Sequence, residues 1–213
     1  NLYEPLIRRS AGLGKPPINF RSKSTHQYHN TDVVIIGAGL SGLAAAKKFI
    51  NTKYKVLLIE QDSYLGGVLK NSNKVKTING LTPQEWISET EELILNSKNI
   101  TILKNTLVTT YNFTNHLIAL EDKFAGKKID LNKSELTLHK IRTSNTIIAN
   151  GHIERFISFR NNDLPGVMLA SSFEKYIHRY GVVPEKEPVI FTNNSSSLSL
   201  LTVSYTHLRA HET

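Results

Sequence analysis

The residues best suited to chemistry are the three glycines of Gly37-Ala38-Gly39-Leu40-Ser41-Gly42, spaced Gly-x-Gly-x-x-Gly. A diphosphate is anionic and needs hydrogen-bond donors that come close. The first turn of a helix offers unpaired N–H groups and about half a positive charge. Side chains obstruct that approach. In this spacing Gly37 makes a tight turn, Gly39 lets the backbone meet the diphosphate, and Gly42 lets the helix pack on the preceding strand. An acidic residue, Glu60, stands about 20 residues further on, where a carboxylate can accept both hydroxyls of a ribose. It would repel a 2′-phosphate, so NAD or FAD suits the pattern better than NADP. Both carry the same ADP half, so the pattern does not choose between them. The bland alternatives are a glycine-rich turn without a ligand and a solvated strand end. The context argues against them, because an apolar run precedes the turn and a helical pattern follows it.

Those residues need a scaffold. Asp32-Val33-Val34-Ile35-Ile36 reads as a buried parallel strand, and Leu43 to Ile50 as a helix with Leu43, Ala46 and Ile50 on one face. Lys55 to Glu60 reads as a second buried strand, which completes one βαβ unit. Gly66-Gly67 breaks the chain, either to pass close beneath a cofactor or as an ordinary turn. Thr82-Pro83-Gln84-Glu85 has the spacing of a capping box and opens a helix to about Leu95, and Ile100 to Leu103 is the next strand. From 106 to 142 the period changes to two, which predicts an inserted antiparallel β-meander with turns at Asn115 and Lys127-Lys128. Asn145 to Gly151 reads as a further buried strand of the same sheet. Asn150, near its end, either hydrogen-bonds the cofactor or caps a turn. A helix from Ala170 to Tyr180 stopped by Gly181, then a strand over Pro188–Thr192, predict the start of a second nucleotide-binding-like domain.

The expected class is therefore α/β, a Rossmann-type FAD/NAD(P)-binding fold. Residues 1–31 form a polar lead-in, 32–155 the dinucleotide-binding domain, and 156–202 the opening of a second domain. Residues 203–213 read like a translated sequencing-library adapter, a non-native tail, so that the natural sequence would stop near Thr202 in mid-domain; a natural C-terminal helix is the alternative. His26 and His29 have a spacing that could suit a metal, but with no further ligand nearby they read as part of a solvated loop. His152, Glu154 and Arg155 read as a hydrogen-bonding turn between domains rather than an active cluster.

Composition sets outer limits. The chain has 213 residues, 39% hydrophobic and 21% charged, enough to bury a core. No apolar run approaches the ~20 residues of a membrane span. Cysteine is absent, which excludes a disulfide, a thiolate zinc site and a flavin–disulfide relay within these residues. The net charge is +8, but the lysines are dispersed without interleaved aromatics, so no nucleic-acid partner is expected. Neither an obvious base, nucleophile nor metal cluster stands out, so the segment should bind rather than perform chemistry.

The glycine turn with Glu60, the Gly66-Gly67 pair and Ala149-Asn150-Gly151 together resemble the two-dinucleotide-binding-domain flavoprotein superfamily. Asn150 departs from the usual Ala-Thr-Gly. Within that superfamily, Tyr3 to Gly14, Gly151-His152-Ile153-Glu154-Arg155, and Asn162-Asp163-Leu164-Pro165-Gly166-Val167-Met168-Leu169-Ala170 resemble the alpha subunit of heterotetrameric sarcosine oxidase. Phe156 and Leu40 stand where that family usually has proline. The resemblance implies a cytoplasmic complex that oxidises sarcosine to glycine through a flavin and passes the one-carbon unit to tetrahydrofolate. It implies NAD on the alpha subunit, with FAD and FMN elsewhere and dependent on a beta subunit. By the same resemblance, the turn from Gly37 to Gly42, Glu60, Gln61, Gly67 and Val68 would contact NAD, and the strand at Leu107 and Val108 would reach its adenine. Gly151 and Asn150 would lie beside it. The alternatives are a related amine or opine oxidase subunit or a general pyridine-nucleotide reductase with FAD in the same turn, and a non-catalytic nucleotide-binding scaffold.

Overall fold

The computed structural model describes residues 3–12, 23–71, 74–123, 135–182, 188–193 and 200. After a short helix α1 (Glu4–Ser10), the chain forms β1 (Lys23–Ile36), α2 (Leu40–Lys48) and β2 (Val56–Ile59), then a 3-10 turn at Gly67–Lys70. α3 (Pro83–Leu95), β3 (Ile100–Leu103), β4 (Thr106–Asn112), β5 (His116–Asp122), β6 (Glu135–Ile148) and α4 (Ala170–Tyr180) follow. One six-stranded sheet has the order β3-β2-β1-β6-β5-β4. β3, β2, β1 and β6 run parallel, while β6, β5 and β4 pair antiparallel. β6 is thus the seam between a Rossmann half and a meander.

Alternation along the short strands feeds two cores. Val33, Ile35, Val56 and Leu58 face α2 and α3, where Leu43, Ala46, Trp86, Ile87 and Ile94 complete one cluster. Val34, Leu57 and Ile59 face the other way and join Leu117, Ala119 and Ile141. A strand covered on both faces must be apolar throughout, and β2 is buried at all four positions. α3 starts where its capping residues stand: Thr82 accepts from the Glu85 N–H, and Glu85 accepts from the Thr82 N–H at 2.9 Å. That backbone bond, reinforced by the Thr82 hydroxyl, holds the Glu85 carboxyl below its ordinary pKa. α4 covers the expected residues and ends at Gly181, whose φ of +65° is the left-handed cap a side chain disfavours.

Several boundaries differ from expectation. β1 begins at Lys23, not Asp32, so the end of the supposed polar lead-in is half of a 14-residue strand. β6 is likewise a single 14-residue strand, joining what read as the last meander strand to the buried strand before Gly151. The two pair from Lys23↔Glu135 to Ile36↔Ile148. The outer half of β1 carries no apolar period, and polar pairs hold it against β6. Thr25 and Thr137 share a hydrogen bond of 2.9 Å, and the Lys140 ammonium lies 5.4 Å from the Tyr28 ring centre. The helix after the glycine turn starts at Leu40 rather than Leu43. The expected strand at Pro188–Thr192 is absent: its backbone is irregular and Val189 is 95% exposed. A strand needs a neighbour, and no described strand pairs with it. Asn115 does sit at the β4–β5 turn. The turn at Lys127-Lys128 and the tail at 203–213 lie outside the described residues.

His26 and His29 belong to β1 rather than to a loop. The His29 Nε2 lies 2.8 Å from Nδ1 of the fully buried His139, whose Nε2 lies 3.1 Å from Glu121 Oε2. Where His139 carries its hydrogen on Nε2, it donates to Glu121 and its Nδ1 is left to accept from the His29 Nε2–H. Among the described residues no group of three histidines or carboxylates is arranged to hold a metal ion. Burial, and then the neighbouring His139, push the His29 pKa below its ordinary 6.5. The unfolded chain therefore binds a proton more readily than the folded one, and stability should fall as pH drops below about 6.5. Unfolding midpoints recorded from pH 8 to pH 5 should show this, and His29→Gln should flatten the lower part of the profile. An identical slope in the variant would exclude His29 as its source.

Candidate dinucleotide site

β1 is flanked by β2 on one side and β6 on the other, so the connections leave in opposite directions beside its carboxyl end. Ligands of open α/β sheets gather at such a reversal. Gly37 leaves β1 with φ +94°, and its N–H donates to the Ile59 carbonyl at 2.8 Å. A Cβ there would stand 2.4 Å from the Ala149 carbonyl oxygen. This places Ala149-Asn150-Gly151 directly against the turn, with the Ala149 N–H bonded to the Ile36 carbonyl at 2.8 Å. Asn150 and Gly151 are both exposed there.

Gly39 caps α2 without a side-chain acceptor. The N–H groups of Leu40, Ser41 and Gly42 stand in its first turn, where a helix supplies no carbonyl partners of its own. A Cβ on Gly39 would meet nothing within 4 Å, which leaves open space in front of those donors. Gly42 is the opposite case. Its Cβ would fall 1.8 Å from the Gly37 carbonyl oxygen, so the helix rests directly on the turn. Gly66-Gly67 runs beneath. The Gly66 N–H donates to the Ala38 carbonyl at 2.8 Å, and a Cβ on Gly67 would stand 3.2 Å from Gly39 Cα. The cradle therefore leaves open space in front of the first turn of α2.

Glu60 closes the other end. It is only 6% exposed, and its two oxygens take separate backbone donors, Ala38 N–H at 2.7 Å and Asp62 N–H at 3.0 Å. Each oxygen keeps a second lone pair for a ribose hydroxyl. The carboxylate thus braces the turn, a role that spacing alone does not reveal. The start of β4 lies against the same place: the Thr106 N–H donates to the Glu60 carbonyl at 2.8 Å, and Asn105 N–H to that of Asp62 at 3.1 Å. Leu107 is exposed there, whereas Val108 packs into the second core cluster. Of the remaining expected contacts, Ala38 is fully buried and acts through its backbone, Gln61 and Ser41 are exposed, and Val68 is 63% exposed on the turn below Gly39.

The sequence reading missed Asp62, Asn105 and Tyr64. Asn105 has φ +53° and a buried side-chain oxygen without a hydrogen-bond partner. An asparagine just before a strand is the one signal that could have marked it, since asparagine tolerates that conformation. Glu154 is held by α4. It accepts from the Ser171 N–H at 2.8 Å in the first turn of α4. Partial burial works to raise its pKa, but the N–H bonds and hydroxyl at Ser171, the Ala170 N–H and the Lys74 charge outweigh this and lower it.

A glycine turn feeding a helix, with a carboxylate at the next strand end on a parallel sheet, defines a Rossmann-type dinucleotide-binding fold. Known proteins agree. The NAD(P)-binding Rossmann-like domain family matches residues 35–82. L-proline dehydrogenase from P. horikoshii shares the fold with a TM-score of 0.54 and 21% identity, over 76% of this chain and 30% of that one. Sarcosine oxidase subunit alpha of Rhizobium meliloti (strain 1021) is 33% identical over 203 residues, 93% of this chain and 20% of that protein. The subunit from Corynebacterium sp. (strain P-1) is 31% identical over 208 residues, 94% of this chain and 21% of that protein. The chain is a homologue of the sarcosine oxidase alpha subunits, and it spans about a fifth of the length of these relatives. No helix among the described residues is long and apolar enough to cross a membrane.

Proposed function

We propose that this chain is the NAD-holding part of the alpha subunit of a cytoplasmic, heterotetrameric, sarcosine-oxidising complex. The open space before α2 carries the reading: it admits a diphosphate at Gly39 while Glu60 stands at the ribose position. The N–H groups of Gly39, Leu40 and Ser41 receive the diphosphate, and Glu60 accepts the ribose hydroxyls. Gly67 and Val68 border the path toward the second half of the cofactor, with Asn150 and Gly151 beside Gly37. Gln61 and Leu107 lie toward the adenine, whereas Val108, packed in the second core, borders it by its backbone alone. NAD supplies a nicotinamide able to accept hydride, but in this assembly it is held structurally.

The amine is oxidised at a flavin elsewhere in the complex, where FAD and FMN depend on a beta subunit, and the released one-carbon unit passes to tetrahydrofolate. Likeness to the sarcosine oxidase alpha subunits supports that assignment. The dinucleotide-binding unit runs from Lys23 through residue 155, and a second unit opens at 156.

Release and mass identification of the nucleotides of the purified full complex tests it. NAD should be present, and it should be lost, with the flavins retained, when Gly39 is replaced by alanine. FAD leaving the complex with that substitution, in place of NAD, would assign the turn to the flavin and overturn the reading.

A further inference from the structure

The loop that carries Glu60 has a second face, and α4 lies on it. The Arg179 guanidinium carbon stands 3.8 Å from the centre of the Tyr64 ring, and the Lys70 ammonium 5.4 Å from it. Earlier on the helix, Glu174, which is buried, pairs with Lys74 at 3.0 Å. Tyr64 lies between two ties to the nucleotide turn. On one side Glu60 accepts from the Ala38 N–H, and on the other the Gly66 N–H donates to the Ala38 carbonyl. The ring therefore belongs to a short loop that presents Glu60 on one side and receives α4 on the other. The Tyr64 hydroxyl is buried without a hydrogen-bond partner, so ring stacking rather than its polar end holds this residue.

We propose that Arg179 is a positioning residue that links α4 to the nucleotide site: by stacking on Tyr64 it holds the 60–66 loop in the conformation that offers Glu60 to the ribose. This deepens the nucleotide-binding reading and rests on it. A guanidinium is planar and weakly hydrated, which suits it to stacking on an aromatic face. A loop released from that stacking samples other conformations, and the apparent affinity of a ligand falls by the fraction that remains competent. Linkage is reciprocal, so a nucleotide bound at the turn must also tighten α4 on the loop.

Calorimetric titration of the full chain with NAD and, separately, with AMP tests the link. Arg179→Ala and Tyr64→Ala should each weaken both ligands by the same factor, about three- to tenfold, because the contact at risk is the ribose they share. The double variant should bind no worse than either single one. Tyr64→Phe keeps the ring and should bind like the wild type. In hydrogen exchange, NAD should slow the amides of α4 in the wild type and not in Arg179→Ala. Unchanged affinity in both alanine variants, additive losses in the double variant, or an NAD effect on α4 that survives without Arg179 would each overturn the link while leaving nucleotide binding intact. A wild-type chain that binds neither NAD nor AMP would overturn both.

Discussion

Gly39→Ala should bind nucleotide at least about tenfold more weakly while the protein stays folded, whereas Gly42→Ala should unfold it. The two positions carry the same residue in the same turn and differ in what surrounds them. A methyl on Gly39 enters open space, and the backbone there, at φ −72°, suits any residue. Its cost to the fold is that of a poorer helix cap, about 1 kcal/mol. The same methyl would occupy the path proposed for the diphosphate, and each 1.4 kcal/mol lost in that contact is about tenfold in affinity. A methyl on Gly42 falls 1.8 Å from a backbone oxygen that has no room to retreat, because the turn is itself held against Ala149. Overpacking of that kind should cost about 3 kcal/mol or more. Thermal unfolding and titration with NAD separate the outcomes. Normal NAD binding by Gly39→Ala would remove the diphosphate from this turn, and a wild-type unfolding midpoint for Gly42→Ala would contradict the packing.

Glu60→Ala should destabilise the nucleotide-free protein by about 2–4 kcal/mol and also abolish tight binding. A residue that served only the ribose would leave the free protein unchanged. Here the carboxylate accepts the Ala38 and Asp62 N–H groups, and Ala38 is fully buried. Hydrogen bonds to a charged acceptor contribute about 1.5–3 kcal/mol each, and a buried donor left alone bears its full desolvation cost. Glu60→Gln should rescue little, since the amide offers one oxygen and turns a donor toward the second N–H. Urea unfolding without nucleotide is the measurement. Wild-type stability in both variants would mean that the brace contributes nothing.

The parts legible in the sequence are those where a local rule acts alone. The capping residues Thr82 and Glu85 place the start of α3, and Gly181 ends α4 where a left-handed residue is needed. The apolar runs at Val33–Ile36 and Val56–Ile59 announce strands covered on both faces. The outer half of β1, and its pairing with the meander part of β6, are not legible there because the support is polar and comes from residues far apart in the chain, such as His29 on His139. The supposed strand at Pro188–Thr192 failed for the complementary reason. Its residues suit a strand, but extended backbone is stable only beside a partner.

By itself the sequence determined the glycine turn between a buried strand and a helix, because glycine spacing, an apolar strand and a helix start are properties of neighbouring residues. Only the tertiary structure decided that Glu60 also braces the turn, and that Tyr64 and Arg179 meet on the outer face of its loop. Those contacts join segments separated along the chain, and their geometry follows from how the sheet and helices pack, which no local pattern of residues encodes.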